Sequence, residues 1–434
     1  MQAVIMAGGK GTRLATIRND IPKSMIPICE IPLLVHQIEN LRENNIRNII
    51  LVTGYLGNII KEYFDDGSNF GVNITYFEEE IPLGTAGALA FLHKSLENDF
   101  ILLFGDLFID INFIKFYNYH QQRGGLATLY VHPNSHPYDS DIVITDTKDR
   151  IVDWKAKNSP RNDYYKNLVN AGIYILKKEL VHYIQKDKKM DLETDVIVPI
   201  IGTEAIYAYP CTEYVKDIGT PQRLSHVERD ITNGICQKRN LKNKQKCIFI
   251  DRDGTVNKLV GFLNKHELLE LETGAVEAIK MINNSEYLVI IITNQPVLAR
   301  GECSYYELQI IHDKLHTILG NNGAYLDDLY FCPHHPDKGF EGEVKELKLV
   351  CDCRKPEIGM IKKALEKHNV DLQHSWFIGD STTDIQTGKN AGMKTALVLT
   401  GEGGNDKKYN VNPDVLGRNL KTCVEEILNY DTNE

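Results

Sequence analysis

Short runs of β-branched and aromatic residues alternate with longer amphipathic stretches from the first residues onward. Gln2 to Met6, Asn48 to Thr53, Ile74 to Phe77 and Phe100 to Phe104 read as strands, while Leu33 to Asn44 and Leu56 to Phe64 carry apolar residues at helical spacing. Strand and helix in alternation predict an α/β domain with a buried, largely parallel sheet. The pattern lapses at residues 233 to 246, which are polar and basic, and this predicts a surface linker over 234–246. It then resumes. Cys247 to Ile250, Leu288 to Thr293, Leu329 to Phe331, Ser375 to Ile378 and Thr395 to Leu399 read as strands, with helices near Val276 to Ile282, Tyr305 to Leu319 and Ile358 to Lys367. The expected organisation is two doubly wound α/β domains, 1–233 and 247–434, with no internal repeat.

A length of 434 residues agrees with this, at roughly 100 to 200 residues per domain. Hydrophobic residues at 42% and charged residues at 25% are ordinary for a globular chain and exclude a disordered or fibrous one. A net charge of −10 argues against a protein that coats nucleic acid or is held on an anionic membrane by bulk charge. The longest apolar runs, such as Leu288 to Ile292, are strand-sized and fall far short of the roughly 20 residues that span a bilayer. Met1 leads directly into an apolar strand with no basic stretch or cleavage site, so a cytoplasmic location is expected. Nine cysteines are an odd number, and Cys332, Cys351 and Cys353 crowd together in a way that suits metal ligation better than disulfides.

The first strand ends in Ala7-Gly8-Gly9-Lys10-Gly11-Thr12-Arg13-Leu14. Glycines there let backbone N–H groups approach phosphate oxygens, and Lys10 and Arg13 supply positive charge. The spacing is neither a P-loop nor a dinucleotide fingerprint. Together with Pro22-Lys23 it resembles the signature of the sugar-1-phosphate nucleotidyltransferases, which join a nucleoside triphosphate to a sugar 1-phosphate. The resemblance runs in register over about the first 230 residues, through Leu83-Gly84-Thr85-Ala86-Gly87, Phe104-Gly105-Asp106, Asn170-Ala171-Gly172-Ile173-Tyr174, Leu192-Glu193-Thr194-Asp195 and Asp217-Ile218-Gly219-Thr220-Pro221.

That resemblance implies a Rossmann-like domain with a mixed sheet, in which Gly8, Gly9, Gly11, Thr12, Arg13, Gly84 and Thr85 bind the nucleotide. Arg13 would hold the triphosphate, Lys23 would bridge the reacting phosphates, and Asp106 with Asp217 would hold Mg²⁺. Lys157, Asn170, Gly172 and Glu193 would contact the sugar phosphate. One departure stands out: where the family has Glu-Lys-Pro this chain reads Ala156-Lys157-Asn158, keeping the cation and losing the acid. The chemistry is displacement at the α-phosphorus, in which positioning and charge stabilisation do most of the work.

In the second half, Phe249-Ile250-Asp251-Arg252-Asp253-Gly254-Thr255 sets two carboxylates at i and i+2 just past an apolar strand, where one can attack a phosphate and the other move the leaving-group proton. With Ile292-Thr293-Asn294-Gln295, Arg354-Lys355-Pro356 and Gly379-Asp380 it resembles the four motifs of the haloacid-dehalogenase-type phosphatases, over roughly 246–400. The resemblance implies a Rossmannoid domain in which Asp251 is the nucleophile and Asp253 the general acid and base. Thr293 and Lys355 would hold the phosphoryl oxygens, and Asn294, Arg300 and Arg354 would contact substrate. Asp251, the backbone carbonyl of Asp253 and Asp380 would bind Mg²⁺. Asp384 has two readings, support of that metal from outside its ligand shell or a helix N-terminal carboxylate.

Cys332-Pro333-His334-His335-Pro336 followed by Cys351-Asp352-Cys353 offers three thiols and two imidazoles, the inventory of a closed Cys₃His zinc site. This cluster and Thr293-Asn294-Gln295 resemble the subfamily of histidinol phosphatase and the heptose 1,7-bisphosphate 7-phosphatases, which implies His334 as the fourth ligand and a structural role for Zn²⁺. A phosphatase that yields a heptose 1-phosphate next to a transferase that activates one implies consecutive steps of nucleotide-heptose synthesis, with guanylyl transfer favoured. Two alternatives stay open. One is a mannose 1-phosphate guanylyltransferase fused to a histidinol-phosphate-type phosphatase, and the other is a non-catalytic protein that binds nucleotide-sugar. The expected partners are small molecules, namely sugar phosphates and a nucleoside triphosphate, and a homo-oligomer is compatible with the sequence.

Overall fold

The computed structural model describes residues 1–9, 20–161, 163–339 and 341–431, so Lys10, Gly11, Thr12 and Arg13 lie outside the described residues. The chain divides into two units. One comprises Met1–His132, Asp141–Ala156 and Leu168–Asn240, and the other Pro133–Ser140, Lys157–Asn167 and the chain from Leu241 onward. Among the described residues no helix is long and apolar enough to cross a membrane.

The first unit is built on a mixed sheet. Its strands are β1 (Gln2–Met6), β2 (Asn48–Thr53), β3 (Asn73–Glu78) and β4 (Asp99–Phe104), with β6 (Ala127–His132), β7 (Ile142–Thr145), β8 (Ile151–Lys155), β9 (Val169–Lys177) and β10 (Ile206–Pro210) following a short strand β5 (Leu107–Asp110). The order β8-β7-β9-β4-β1-β2-β3 places β1 at the interior of the sheet, and β6 bridges β9 to β10. β1 pairs in parallel with both β2 and β4, whereas β9 runs antiparallel to β4 and to β6. Ala3, Val4 and Ile5 of β1 and Ile101, Leu102 and Leu103 of β4 are buried throughout. Burial on both faces explains why these strands read as unbroken apolar runs. Separately, β5 forms an antiparallel ribbon with β11 (Tyr214–Asp217).

The stretch predicted as a linker over 234–246 is corrected in its first part. Residues Ile235–Arg239 form a helix. Ile235 and Cys236 join a buried cluster with Tyr214, Ile218 and Val227, and the Asn240 side chain donates to Asp110 Oδ1 at 2.6 Å. Three apolar residues, only two of them adjacent, among nine polar ones and a glycine carry no readable period, which is why composition alone suggested solvent.

Among the described residues of the second unit the six strands are all parallel: β12 (Cys247–Ile250), β13 (Leu288–Asn294), β14 (Asp328–Cys332), β15 (Trp376–Gly379), β16 (Lys394–Val398) and β17 (Val415–Gly417), in the order β14-β13-β12-β15-β16-β17. Side chains alternate across it, as strand geometry requires. Ile248, Ile250, Val289 and Ile291 pack with the helices Ala275–Asn283 and Leu420–Asp431, while Cys247, Phe249, Leu288 and Ile290 pack with helix Gly359–Lys367 on the opposite face. Helix Tyr305–Asn321 begins with a capping box in which Ser304 and Glu307 satisfy each other's backbone N–H groups, a device worth about 1 kcal/mol. Further along that helix, Thr317 Oγ1 accepts from Tyr165 N at 2.9 Å and donates to Tyr165 O at 3.2 Å, tying in the Lys157–Asn167 segment.

Candidate active sites

In the first unit the register Met6↔Phe104 and Met6↔Val52 brings the C-terminal ends of three parallel strands to one edge. Open α/β sheets bind ligands there. Gly8 and Asp106 follow two of those ends. Buried Gln37, from helix Leu33–Glu43, donates to Phe104 O at 2.9 Å and Leu107 O at 2.7 Å, fixing the turn that carries Asp106. The β5–β11 ribbon delivers Asp217 opposite Leu107, and Ile218 N donates to Asp106 O at 3.0 Å. The two aspartates expected to share a metal thus sit on adjacent backbone.

Each of them is met by a cation. Lys23 Nζ lies 2.6 Å from Asp106 Oδ2, and Arg223 Nη1 reaches both oxygens of Asp217 at 2.7 and 2.6 Å. Burial pushes the Asp217 carboxyl up, yet Arg223, the Gly219 N–H and Lys23 together hold it below its ordinary value. Arg223 carried no motif in the sequence. It stands at the start of helix Pro221–Thr232, on the first turn after the cap residue Thr220.

The nucleobase-side loop is set by close approach. Gly84 has φ +81°, and a Cβ there would stand 2.3 Å from Met190 O. A side chain is excluded on both counts. Thr85 Oγ1 accepts from Leu192 N at 2.7 Å and donates to Asp191 Oδ2, so this loop and the turn before Glu193 form one body. Asn170 lies where β9 slips register against β6, a bulge that re-aims side chains. Its Nδ2 donates to Tyr174 OH at 2.8 Å, and that hydroxyl donates to Glu193. Burial pushes the Glu193 carboxyl up to about 7, with Tyr174 opposing and Asp191 adding. Asn170 Oδ1 is buried without a hydrogen-bond partner, an orphan acceptor of the kind a ligand hydroxyl satisfies. Gly172 sits within the bulge, and Lys157 is exposed on the turn after β8, in the segment grouped with the second unit.

In the second unit Asp251 follows β12, and its backbone N–H donates to Ile378 O of β15 at 2.9 Å. Lys355 Nζ is 2.7 Å from Asp251 Oδ1 and 2.5 Å from Asp384 Oδ1. Asp251, Asp380 and Asp384 each offer a carboxylate oxygen within 4.8 Å of the others. Three buried carboxylates with one lysine leave net negative charge, which fits a hard divalent cation such as Mg²⁺. Burial, with neighbouring carboxylates adding and Lys355 opposing, pushes Asp251 up to about 7 and Asp380 up to about 8. Lys355 is pressed down by burial but held above its ordinary value by Asp251 and Asp384. Gly254 makes room: with φ +80°, a Cβ would stand 2.2 Å from Asp380 Oδ2.

Asp384 is a helix N-terminal carboxylate, its Oδ2 accepting from Ser381 N and Oγ in a capping box while Oδ1 takes Lys355. The Asp253 carboxylate is outside the carboxylate cluster, gripped instead by Arg252, Asn257 and Gln295. Burial raises its carboxyl, but those three donors hold it below the usual value. Asn294, expected to touch substrate, exchanges hydrogen bonds with the Lys355 backbone at 3.0 and 3.3 Å and so aims that lysine. Thr293 is buried and accepts from Gln295 at 2.9 Å. Arg354 donates to His334 O at 3.2 Å, and Arg300 pairs with Glu302 and lies over the Phe262 ring at 4.4 Å.

Cys332, His334, Cys351 and Cys353 converge. The sulfurs are 3.1, 3.3 and 3.6 Å apart, and His334 Nδ1 lies 3.3 Å from Cys353 Sγ and 3.8 Å from Cys332 Sγ. A tetrahedral ion bound at about 2.3 Å holds its sulfurs about 3.8 Å apart. The cluster is therefore a site that can hold a metal ion, with His334 and not His335 inside it.

Comparison with known proteins matches the chain to the nucleotidyl transferase family model over residues 2–234 and to the HAD-hydrolase-like model over 352–423. The chain is 30% identical over 246 residues to the mannose-1-phosphate guanylyltransferase of Mycobacterium tuberculosis, covering 56% of this chain and 67% of that protein. It is 39% identical over 186 residues to the D-glycero-alpha-D-manno-heptose-1,7-bisphosphate 7-phosphatase of Photorhabdus laumondii, covering 43% of this chain and 98% of that protein. Among solved structures, that of HddC from Yersinia pseudotuberculosis aligns with a TM-score of 0.47 at 26% identity, covering 53% of this chain and 99% of the other. The expected fold class and the two expected activity classes are borne out by these matches.

Proposed function

The chain belongs to the nucleotidyl transferase family in its first half and to the haloacid-dehalogenase-type heptose bisphosphatases in its second, and from that premise we propose two consecutive steps on one sugar. The second half removes the 7-phosphate of D-glycero-D-manno-heptose 1,7-bisphosphate. The first half then transfers GMP from GTP to the heptose 1-phosphate, releasing pyrophosphate. The observation that carries this reading is the presence in one chain of a phosphatase-like half covering 98% of a heptose bisphosphatase and a half similar to a guanylyltransferase. We assign transfer to residues 1–233 and hydrolysis to 247–434. Nine free thiols support a reducing, cytoplasmic setting.

For transfer, Gly8, Gly9, Gly11 and Thr12 cradle the triphosphate while Arg13 and Lys23 offset its charge, and Gly84 with Thr85 positions the base. Asn170, Gly172 and Glu193 take the sugar hydroxyls, and Lys157 the sugar phosphate. Asp106 and Asp217 would hold Mg²⁺, which would offset charge on the reacting phosphates, and Lys23 and Arg223 pair with those carboxylates. For hydrolysis, an Asp251 oxygen attacks phosphorus, the bond to the sugar oxygen breaks, and Asp253 gives that oxygen a proton. Water then attacks the aspartyl-phosphate, Asp253 takes its proton, and phosphate leaves. Thr293 and Lys355 hold the phosphoryl oxygens throughout. Asp251, the Asp253 carbonyl and Asp380 hold Mg²⁺, which supplies the charge that lets an anion approach an anion. Zn²⁺ on Cys332, His334, Cys351 and Cys353 shapes the loop that presents Arg354 and Lys355.

The test is product identification by mass after incubating the purified chain with the heptose bisphosphate, Mg²⁺ and each nucleoside triphosphate in turn. Phosphate, heptose 1-phosphate and GDP-heptose are the expected products. GDP-mannose from mannose 1-phosphate, together with phosphate only from histidinol phosphate, would replace this reading.

A further inference from the structure

Arg252 stands between the two aspartates past β12, and its side chain is fully buried. Its Nε and Nη2 donate to Asp253 at 3.2 and 2.9 Å. Nη2 also reaches Gln295 Oε1 at 3.0 Å, and Gln295 returns a hydrogen bond to Asp253 Oδ2 at 2.8 Å. The remaining nitrogen, Nη1, meets Nε2 of His312 at 3.0 Å. A guanidinium has donors only, so the imidazole nitrogen is the acceptor and the ring is neutral. His312 is itself buried, on helix Tyr305–Asn321, with its ring centroid 5.5 Å from that of Phe331.

We propose that His312 is a positioning residue for the phosphatase: it fixes the Arg252 guanidinium, which fixes the Asp253 carboxyl where it trades a proton with the leaving oxygen. This rests on the reading of Asp253 as acid and base. A neutral acceptor suits the task better than an acidic one. It occupies the outer donor of the guanidinium without cancelling its charge, so that charge stays directed at Asp253. Remove the acceptor and a buried N–H is left unpaired, which the side chain relieves by turning and taking Asp253 with it.

The leaving group makes this separable from a structural role. A sugar alkoxide needs a proton as it departs, whereas a nitrophenolate leaves without one. In the full-length chain, His312→Leu should lower kcat/KM on the sugar bisphosphate roughly 10- to 100-fold but that on p-nitrophenyl phosphate by no more than about threefold. His312→Gln, which restores an acceptor, should recover most of the loss. Should the leucine variant fail to fold, His312→Asn, polar but too short to reach, reads the same ratio, with circular dichroism and pyrophosphate release as controls. Equal losses on both esters, or a folded His312→Asn with wild-type values, would overturn the proposal. A wild-type chain inactive on both esters would instead strike the phosphatase reading, and this inference with it.

Discussion

In the first site each carboxylate has a cation of its own and keeps about a third of its side-chain surface in water: Asp106 has Lys23, and Asp217 has Arg223. In the second, Asp251 and Asp384 share Lys355 in the interior, with the Asp380 carboxylate beside them. Both sites handle phosphate esters, but their resting charge differs. In the first, Lys23 and Arg223 neutralise the two carboxylates, so a metal bound there would displace side chains that would then be free to meet phosphate oxygens. The second is short of positive charge, so an external cation completes it, and without one Asp251 and Asp380 retain protons. A site balanced by its own residues gates metal entry, while an unbalanced one demands it.

The largest effects should come from breaking each site alone. On the proposed assignment of Asp251 as nucleophile, Asp251→Asn should lower phosphate release from the heptose bisphosphate by at least about 10⁴-fold. Pyrophosphate release from heptose 1-phosphate and GTP should stay within about twofold of wild type. Asp106→Ala should do the reverse, lowering pyrophosphate release by roughly 10² to 10⁴-fold. Parallel assays of the two products on both variants give four rates. A folded variant that loses both activities would end the separation of the sites.

An intermediate effect concerns the thiol cluster, which belongs to the second site only. Protein purified without chelator should carry one zinc per chain by elemental analysis, and Cys351→Ser well below one. Because Cys353 leads directly into Arg354, and Arg354 Nη1 holds His334 O, loss of the ion should loosen the loop carrying Lys355. Phosphatase turnover should drop about tenfold, as for loss of a supporting metal shell, with transfer unmoved. Zinc far below one in wild type, unchanged by the substitution, would leave the cysteines as ordinary thiols.

How much of this was legible in the sequence follows the same contrast. β12 was read at its observed limits, since a run of four buried apolar residues ends in Asp251, and β2 likewise. The parallel strands carry their burial in their own composition. The strands β6 to β9, which pair antiparallel, and β10, which runs parallel to β6, were not read, because their pairing depends on partners up to dozens of residues away. Among site residues, the carboxylates, Lys355 and the cysteines stand in short local motifs. Arg223, Gln37 and His312 do not, and each acts through a tertiary hydrogen bond that no local pattern encodes. Arg252 was in plain view between Asp251 and Asp253, but only its burial reveals its work. The grouping of Lys157–Asn167 with the second unit rests on contacts such as Tyr165 with Thr317, far apart in the chain and invisible to periodicity.

The smallest effect reads the two sites through stability instead of rate. Burial and mutual repulsion hold Asp251 up at about 7 and Asp380 at about 8, while an aspartate in the unfolded chain titrates near 3.9. Without Mg²⁺ the folded state therefore binds more protons than the unfolded state between about pH 4 and 8, and stability falls as pH rises through that window. What these groups contribute is fully present below about pH 4 and lost above about pH 8. Asp217 runs the other way: its lowered carboxyl contributes stability that is present at neutral pH and lost only in acid. In full-length protein dialysed free of Mg²⁺, without chelator so that zinc is kept, the melting temperature should fall steadily from pH 5.5 to 8. Added Mg²⁺ should raise it more at pH 8 than at pH 5.5, because the ion binds the ionised carboxylates. Asp380→Asn, which removes one of the repelling charges, should flatten the pH dependence and blunt the response to Mg²⁺. A metal-free melting temperature that rises with pH, or a Mg²⁺ response equal at both values, would mean that the second site is balanced from within like the first.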